Sequence, residues 1–303
     1  MSVLLRILVV GLALTSIAAQ EKPTFSSASD LVVVHATVKD RHGAYVSGLT
    51  GDAFQIFEDD VPQQLAFLDG VESPATVGFL IDSSGSMREG RERVIAAATT
   101  FASSSQGRDD MFAIAFNEHV RFALPPLMPF TSNPTIFQMS IARVLSAEGL
   151  TAMYDAIAAG LSYIEKGRHP RRALVVVGDG GDNASKTTFE QVLRQAQTSN
   201  AAIYTVGIID ALDREAKPGS LKRLAQATGG EAFFPRRVED IDAVFRQISE
   251  DIRHSYTLGY VSSNSARDGQ FRRLRIRATD SAGRRLSVRA RDGYRAGGTN
   301  AAE

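Results

Sequence analysis

The 303-residue chain contains no cysteine. Disulfides, thiolate metal ligands and a cysteine nucleophile are thereby excluded. The redox compartment is not, because a chain of this length builds a core without covalent staples. Excess charge is missing as well. Lys+Arg and Asp+Glu are equal at 34 each, for a formal net charge of +0. No global field draws the chain to nucleic acid or to an anionic membrane. Familiar catalytic motifs are also absent. None of the five histidines (His35, His42, His119, His169, His254) stands in His-Glu-x-x-His spacing. There is no Gly-x-Ser-x-Gly elbow, no Walker A loop and no Gly-x-Gly-x-x-Gly after a strand. Apolar runs of membrane-spanning length do not occur beyond the N-terminus.

At that N-terminus, Arg6 precedes the apolar run Ile7 to Ala18, and Ser16-Ile17-Ala18 places small residues at −3 and −1 of a cleavage site. The run is shorter than the roughly 20 residues of a spanning helix. Residues 1–18 are therefore predicted to be a signal peptide, with an uncleaved anchor as the alternative. The mature chain is expected to be secreted or periplasmic, without stable membrane insertion.

Periodicity divides the rest into three regions. Residues 28–72 carry short strand signals: Leu31 to Val38, then Phe54 and Ile56, then Leu65 and Phe67, punctuated by Asp40-Arg41-His42-Gly43 and Asp59-Asp60-Val61-Pro62. Residues 73–254 alternate strands and helices. Strand patterns fall at 76–81, 111–116, 119–124, 173–177, 201–206 and 231–234, and helical patterns at 88–105, 152–165, 188–198, 221–227 and 238–252. The near-continuous apolar strands are those of a sheet covered on both faces. This region is read as a doubly wound, mostly parallel, Rossmann-like α/β sheet. Residues 255–296 return to strands. Leu274, Ile276 and Ala278, the turn Asp280-Ser281-Ala282-Gly283, then Leu286, Val288 and Ala290 read as a hairpin with one solvated face. Neither flank is large enough for a robust core alone. Both are expected to pack into one small β-sandwich, with the α/β domain inserted between them. Residues 297–303 are read as a disordered tail.

Chemistry is concentrated at Asp82-Ser83-Ser84-Gly85-Ser86, directly after the apolar run Val77-Gly78-Phe79-Leu80-Ile81. One carboxylate and two hydroxyls at alternate positions, Asp82, Ser84 and Ser86, make an all-oxygen half-site suited to a hard divalent cation. Open parallel sheets bind ligands outside the carboxyl ends of their strands, which is where this cluster falls. Two further segments can complete the site: Thr151 within Gly149-Leu150-Thr151-Ala152-Met153-Tyr154-Asp155, and Asp179 within Gly178-Asp179-Gly180-Gly181-Asp182-Asn183. An octahedral Mg²⁺ takes six oxygens at roughly 2.1 Å and usually keeps waters. Each residue also has a structural explanation: Asp82, Ser84 or Thr151 as a helix cap, Asp179 as part of a turn. Asp182 and Asn183 are expected to shape that turn, and Asp155 to hydrogen-bond near the site.

Taken in this order, Asp-x-Ser-x-Ser, Gly-x-Thr-x-x-Tyr-Asp-Ala and Asp-Gly-x-Asp-Asn resemble the von Willebrand factor type A domain and its metal-ion-dependent adhesion site. The resemblance covers about residues 73–254. Phe54-Gln55-Ile56-Phe57-Glu58-Asp59 and Arg291-Asp292-Gly293-Tyr294 are similar to flanking segments of a bacterial secreted group of such proteins. The resemblance implies that Ser84, Ser86 and Thr151 are hydroxyl ligands and that Asp82 and Asp179 act mostly through water. It implies Mg²⁺, with Mn²⁺ or Ca²⁺ as alternatives, and a coordination position open to an acidic side chain of a protein partner. Gly178 and Gly181 depart from the family pattern at the rim.

The function expected is an exported, non-enzymatic, adhesion-type protein-binding module, with no nucleic-acid partner. Two alternatives remain. One is a structural or assembly protein whose metal site is vestigial. The other is a metal-assisted hydrolase using Ser84 or Ser86, for which His119 is the central base candidate. The arginines at 272, 273, 275, 277, 284, 285, 289, 291 and 295 largely alternate with apolar residues and are read as a solvated strand face. Docking of an anionic polymer there is a minor reading.

Overall fold

A computed structural model describes residues 31–87, 90–105, 107–146, 148–209 and 216–297, apart from the side chains of Ser86 and Val238. The expected signal peptide, and the expected tail beyond Gly297, lie outside the described residues. No described helix is long and apolar enough to cross a membrane.

The first flank forms β1 (Leu31–Lys39), β2 (Phe54–Glu58), β3 (Val61–Gln63) and β4 (Leu65–Asp69). The central region runs β5 (Ala75–Asp82), α1 (Arg91–Ser104), β6 (Asp110–Phe116), β7 (Val120–Phe122), α2 (Pro134–Val144), α3 (Met153–Ile164) and β8 (Arg171–Gly178). It continues through α4 (Phe189–Thr198), β9 (Ala202–Gly207), α5 (Pro218–Thr228), β10 (Ala232–Phe233) and α6 (Ile241–Arg253). The last flank is β11 (Ser255–Val261), β12 (Phe271–Ala278), β13 (Ser287–Ala290) and β14 (Gly293–Arg295).

The central sheet has the order β10-β9-β8-β5-β6-β7. All of its pairs are parallel except β6 with β7. Alternation along each strand feeds two cores, as a sheet covered on both faces requires. Val77, Phe79 and Ile81 pack with Val94 and Phe101 of α1, Phe137 of α2 and Phe245 of α6. Leu80, Phe112 and Leu174 pack with Ile157 of α3, Val192 of α4 and Leu221 of α5. Gly78 is part of this design: a Cβ there would stand 2.3 Å from the Phe112 ring and 2.6 Å from Leu174. The chain leaves β5 to one side for β6 and returns to its other side for β8. The strand order thus reverses between β5 and β8, and a doubly wound sheet opens its crevice at that point.

Local chemistry accounts for the helix ends. Thr188 and Gln191 form a reciprocal capping box on α4. α5 starts on Pro218 and ends at Gly229, whose φ of +82° suits the left-handed cap. α2 was not foreseen, although its signature is present. The Asn133 side chain accepts from the Thr135 and Ile136 amides, Pro134 opens the helix, and Phe137 and Ile141 lie one turn apart on the buried face. The prolines and polar residues just before it mask this short amphipathic pattern.

Both flanks contribute to each of two antiparallel sheets, β13-β1-β11-β4 and β14-β12-β2-β3. They close over one core that includes Val34, Ala36, Ile56, Tyr256, Leu258 and Leu274. The junctions at 72/73 and 254/255 fall between β4 and β5 and between α6 and β11. The hairpin expected from residues 271–290 closes at its turn, where Thr279 and Arg285 form an antiparallel bridge and the Leu286 amide donates to Ala278 O, but its strands then part into different sheets. β12 pairs with β2 and β14, whereas β13 pairs with β1 in the opposite sheet. The turn at Asp280–Gly283 is a corner, so Leu274 and Ala278 face Val288 and Ala290 across the sandwich. A carboxylate is buried in this module too. Glu58, 3% exposed, accepts hydrogen bonds from Tyr260 Oη at 2.6 Å, Ser262 Oγ at 2.6 Å and Tyr294 Oη at 2.9 Å.

The solvated-arginine reading needs partial correction. Arg273, Arg275 and Arg277 are exposed on β12, but Arg272 and Arg291 are buried. Arg272 donates to Ala266 O, and Arg291 to Ser199 O, Gln197 O and Gly293 O. Arg291 thereby ties the sandwich to the end of α4, and the guanidinium fork satisfies several carbonyls at once.

Candidate metal centre at the sheet switch point

Asp82 is the last residue of β5 and Asp179 follows the last residue of β8. The two acidic residues therefore sit on adjacent strand ends at the crevice. Each folds its loop around its own carboxylate: Asp82 Oδ1 accepts from the Ser84 amide at 2.8 Å, and Asp179 Oδ1 from the Gly181 amide at 2.8 Å. Gly180 takes φ +85°, and a Cβ there would lie 2.6 Å from Lys217 O. Gly178 is close-packed as well, since its Cβ would fall 3.1 Å from the Asp82 carboxylate.

Three loops are stitched into a ring. Ser83 ties the β5 loop to the segment before Thr151: Ser83 Oγ accepts from the Ser146 amide at 2.6 Å, and Ser83 O from the Glu148 amide at 3.1 Å. Thr151 in turn is tied to the β8 loop. Its amide donates to Asn183 Oδ1 at 2.8 Å, and its carbonyl accepts from the Asn183 and Ala184 amides. Asp182 Oδ2 accepts from the Tyr154 amide at 2.8 Å and from Ser185 Oγ at 2.6 Å. Asp155 accepts from the Lys186 and Thr187 amides. Asp155, Asp182 and Asn183 thus hold the second and third loops together.

The turn after β6 closes the remaining side, a contribution the sequence did not signal. Asn117 O accepts from the Ala152 amide at 2.7 Å, and Asn117 Nδ2 donates to Glu148 O. Glu118 Oε2 accepts from the Leu150 amide at 3.1 Å. Asn117 and Glu118 look like ordinary turn residues locally; their partners lie some thirty positions away in the chain. The exposed Gly149 is forced by that contact, because a Cβ there would overlap the Glu118 carboxylate.

The structure places Asp82, Ser84, Thr151 and Asp179 on these three loops, each less than 9% exposed. The side chain of Ser86 lies outside the described residues. Burial raises the Asp82 carboxyl to about 7; hydrogen bonds from the Ser84 amide and hydroxyl work against that rise, and the charge of Asp179 adds to it. No Lys, Arg or His among the described residues helps to set it. Two neighbouring buried carboxylates with hydroxyls around them fit a hard divalent cation, which relieves their repulsion. Among the described residues, no three His, Cys, Asp or Glu side chains converge as a metal-ligating group. Asp82, Ser84, Thr151 and Asp179 offer oxygen donors alone, a chemistry that fits Mg²⁺ better than Zn²⁺.

No curated protein matches the chain. Among solved structures, it is similar to a von Willebrand factor type A protein from Catenulispora acidiphila, at 14% identity and a TM-score of 0.51, over 92% of this chain and 76% of that one. Proximal thread matrix protein 1 from the mussel byssus matches at 12% identity and a TM-score of 0.52, over 63% of this chain. The chain spans about half of that protein, 49% of its length. The vWF domain of the type V pili tip protein Mfa5 from Porphyromonas gingivalis matches at 14% identity and a TM-score of 0.50, over 60% of this chain and 96% of that one. Identities this low speak to fold alone. The family model described as von Willebrand factor type A domain matches residues 76–251, more than half of the chain. Strand order, loop ring and family match agree: the chain belongs to the von Willebrand factor type A domain family.

Proposed function

We propose that the chain is an exported, metal-dependent protein-binding module. One observation supports this reading: three loops distant in sequence are tied to one another by hydrogen bonds, and Asp82, Ser84, Thr151 and Asp179 are buried on them. In the proposal, Ser84, Ser86 and Thr151 donate hydroxyl oxygens, and Asp82 and Asp179 supply negative charge. When bound, Mg²⁺ (or Mn²⁺ or Ca²⁺) would supply a cationic centre that carboxylates acting mostly through water leave under-neutralised, with room for a further oxygen ligand. The exposed rim at Gly149 and Leu150 leaves that centre approachable. An acidic side chain of a protein partner is the ligand that matches it, through a charge-assisted contact shielded from water. The pilus and byssus proteins among its structural relatives are consistent with an interaction role. Export to the periplasm or the medium rests on the N-terminal pattern. A hydrolytic role is disfavoured because the Ser84 hydroxyl bonds to the proposed metal-site carboxylate Asp82 rather than to an imidazole, and the base candidate His119 is exposed in the turn after β6.

Titration calorimetry with Mg²⁺ and Mn²⁺ tests the site. The folded chain should take up one ion, and Asp82→Ala should weaken uptake by at least about tenfold. Capture of interacting proteins in Mg²⁺, with release by chelator and loss in Asp82→Ala, is the expected second result. A folded chain that takes up neither ion would leave the structural reading, in which the β flanks make the contacts.

A further inference from the structure

A second concave site lies at the opposite edge of the molecule from the metal ring. The ring sits at the C-terminal ends of β5 and β8, whereas a cleft of about 480 Å³ opens beside the start of β10, where the sandwich meets α5. That volume falls within the range of small-molecule sites. One wall is the outer face of the sandwich sheet. Thr37 pairs with Arg289 and Lys39 with Ser287 in the β1–β13 register, so all four side chains share that face. The other wall is α5, with Lys222 and Gln226, and the Gly230–Ala232 segment.

The charges in this cleft do not cancel. Arg289 is held between Glu231 and Asp251. Lys39 Nζ lies 3.6 Å from the same Asp251, whose side chain is fully buried and also accepts from Tyr45 Oη at 2.5 Å. On the facing wall, Lys222 rests over the Phe234 ring at 5.3 Å, with no carboxylate partner among the described residues. Three cations (Lys39, Arg289, Lys222) therefore face two carboxylates (Glu231, Asp251), one of which is shared and buried. The Arg289 fork is fixed in place by its two partners, and Lys39 is steadied by the Tyr45 ring at 4.5 Å. These are features of an anion subsite: a concave space with fixed cations and an excess of positive charge. The hydroxyls of Thr37 and Ser287 and the Gln226 amide add neutral hydrogen-bonding groups.

We propose that this cleft binds a small organic or inorganic anion carrying a carboxylate or phosphate group, independently of the metal ring. The test uses the full chain in metal-free buffer, titrated calorimetrically with inorganic phosphate and, separately, with succinate. Saturable binding of at least one probe is expected, and the tighter one identifies the group. Lys222→Glu should weaken that binding by about tenfold or more, the worth of one charge-assisted contact. Asp82→Ala, at the metal ring, and Lys166→Glu, on a remote exposed turn, should leave it unchanged. No saturable binding of either probe would overturn the proposal. So would equal affinity in Lys222→Glu, or an equal loss in Lys166→Glu.

Discussion

At the residue scale, His35 shows how a single side chain reports on its surroundings. It lies on the face of β1 that meets the α/β domain. Its Nε2 accepts from the Arg172 amide at 3.4 Å, and its Nδ1 lies 3.3 Å from Thr257 Oγ1. A ring nitrogen that accepts from an amide carries no proton, so His35 is neutral here. Burial, with the charges of Arg171, Arg291 and Arg172, outweighs an opposing hydrogen bond with the Asn200 backbone and lowers its pKa from 6.5 to about 3. The unfolded chain therefore binds one more proton than the folded chain between about pH 6.5 and pH 3. The stability from keeping His35 neutral is present above that window and is lost as pH falls through it, by at most about 1.4 kcal/mol per pH unit. Urea midpoints at pH 7 and pH 5 should show this acid loss in the native chain. The loss should shrink in His35→Gln, which keeps an acceptor and a donor but cannot titrate. An equal acid loss in both would refute the assignment.

Gly180 makes a second prediction at this scale. Its left-handed conformation and the 2.6 Å approach to Lys217 O leave no room for a Cβ. Gly180→Ala should cost about 1–3 kcal/mol by denaturant unfolding and, through the displaced Asp179 loop, weaken Mg²⁺ uptake. A fully stable variant with native ion uptake would show that the loop repacks freely.

At the scale of elements, the ring depends on connections made within loops. Asp182 holds the start of α3 through the Tyr154 amide and holds its own loop through Ser185. Asp182→Ala leaves these donors without their carboxylate and should cost about 1–3 kcal/mol. Because it separates the second loop from the third, it should also lower ion affinity although Asp182 itself is not proposed as a ligand. Calorimetry distinguishes the outcomes: unchanged affinity would mean that Thr151 is positioned by Asn183 alone. Element identity was readable from apolar periodicity wherever a strand was buried on both faces, as in Val77–Ile81 and Ala173–Val177. It failed at α2, where turn-forming residues precede a short amphipathic pattern. It also failed at β12 and β13, whose alternation is the same whether they pair side by side or oppose each other across a sandwich.

At the scale of the whole molecule, the sandwich and the α/β domain are joined by buried charge. Arg171, 1% exposed, donates to Gly70 O, Ser73 O and Arg253 O, bridging both linkers. Asp251 at the end of α6 holds Arg289, Lys39 and Tyr45 of the sandwich. Removing one partner of such a buried pair is more costly than never having built it. Asp251→Ala should therefore destabilise the chain by about 3 kcal/mol and loosen the two modules from each other. Scanning calorimetry of the native chain should give one cooperative transition, and the variant a broadened or split one. Two separate transitions in the native chain would mean that the modules unfold independently.

The sequence by itself determined the layered α/β centre, the strand flanks and the identity of the oxygen-bearing residues. Burial periodicity and loop chemistry are local properties, and each residue carries them wherever it folds. Only the tertiary structure decided that Asn117 and Glu118 brace the Thr151 loop, that Arg272 and Arg291 turn inward, and that β12 and β13 belong to different sheets. Those outcomes depend on which carbonyls, amides and strand edges the folded chain brings together and leaves to be satisfied, a condition that no single element encodes.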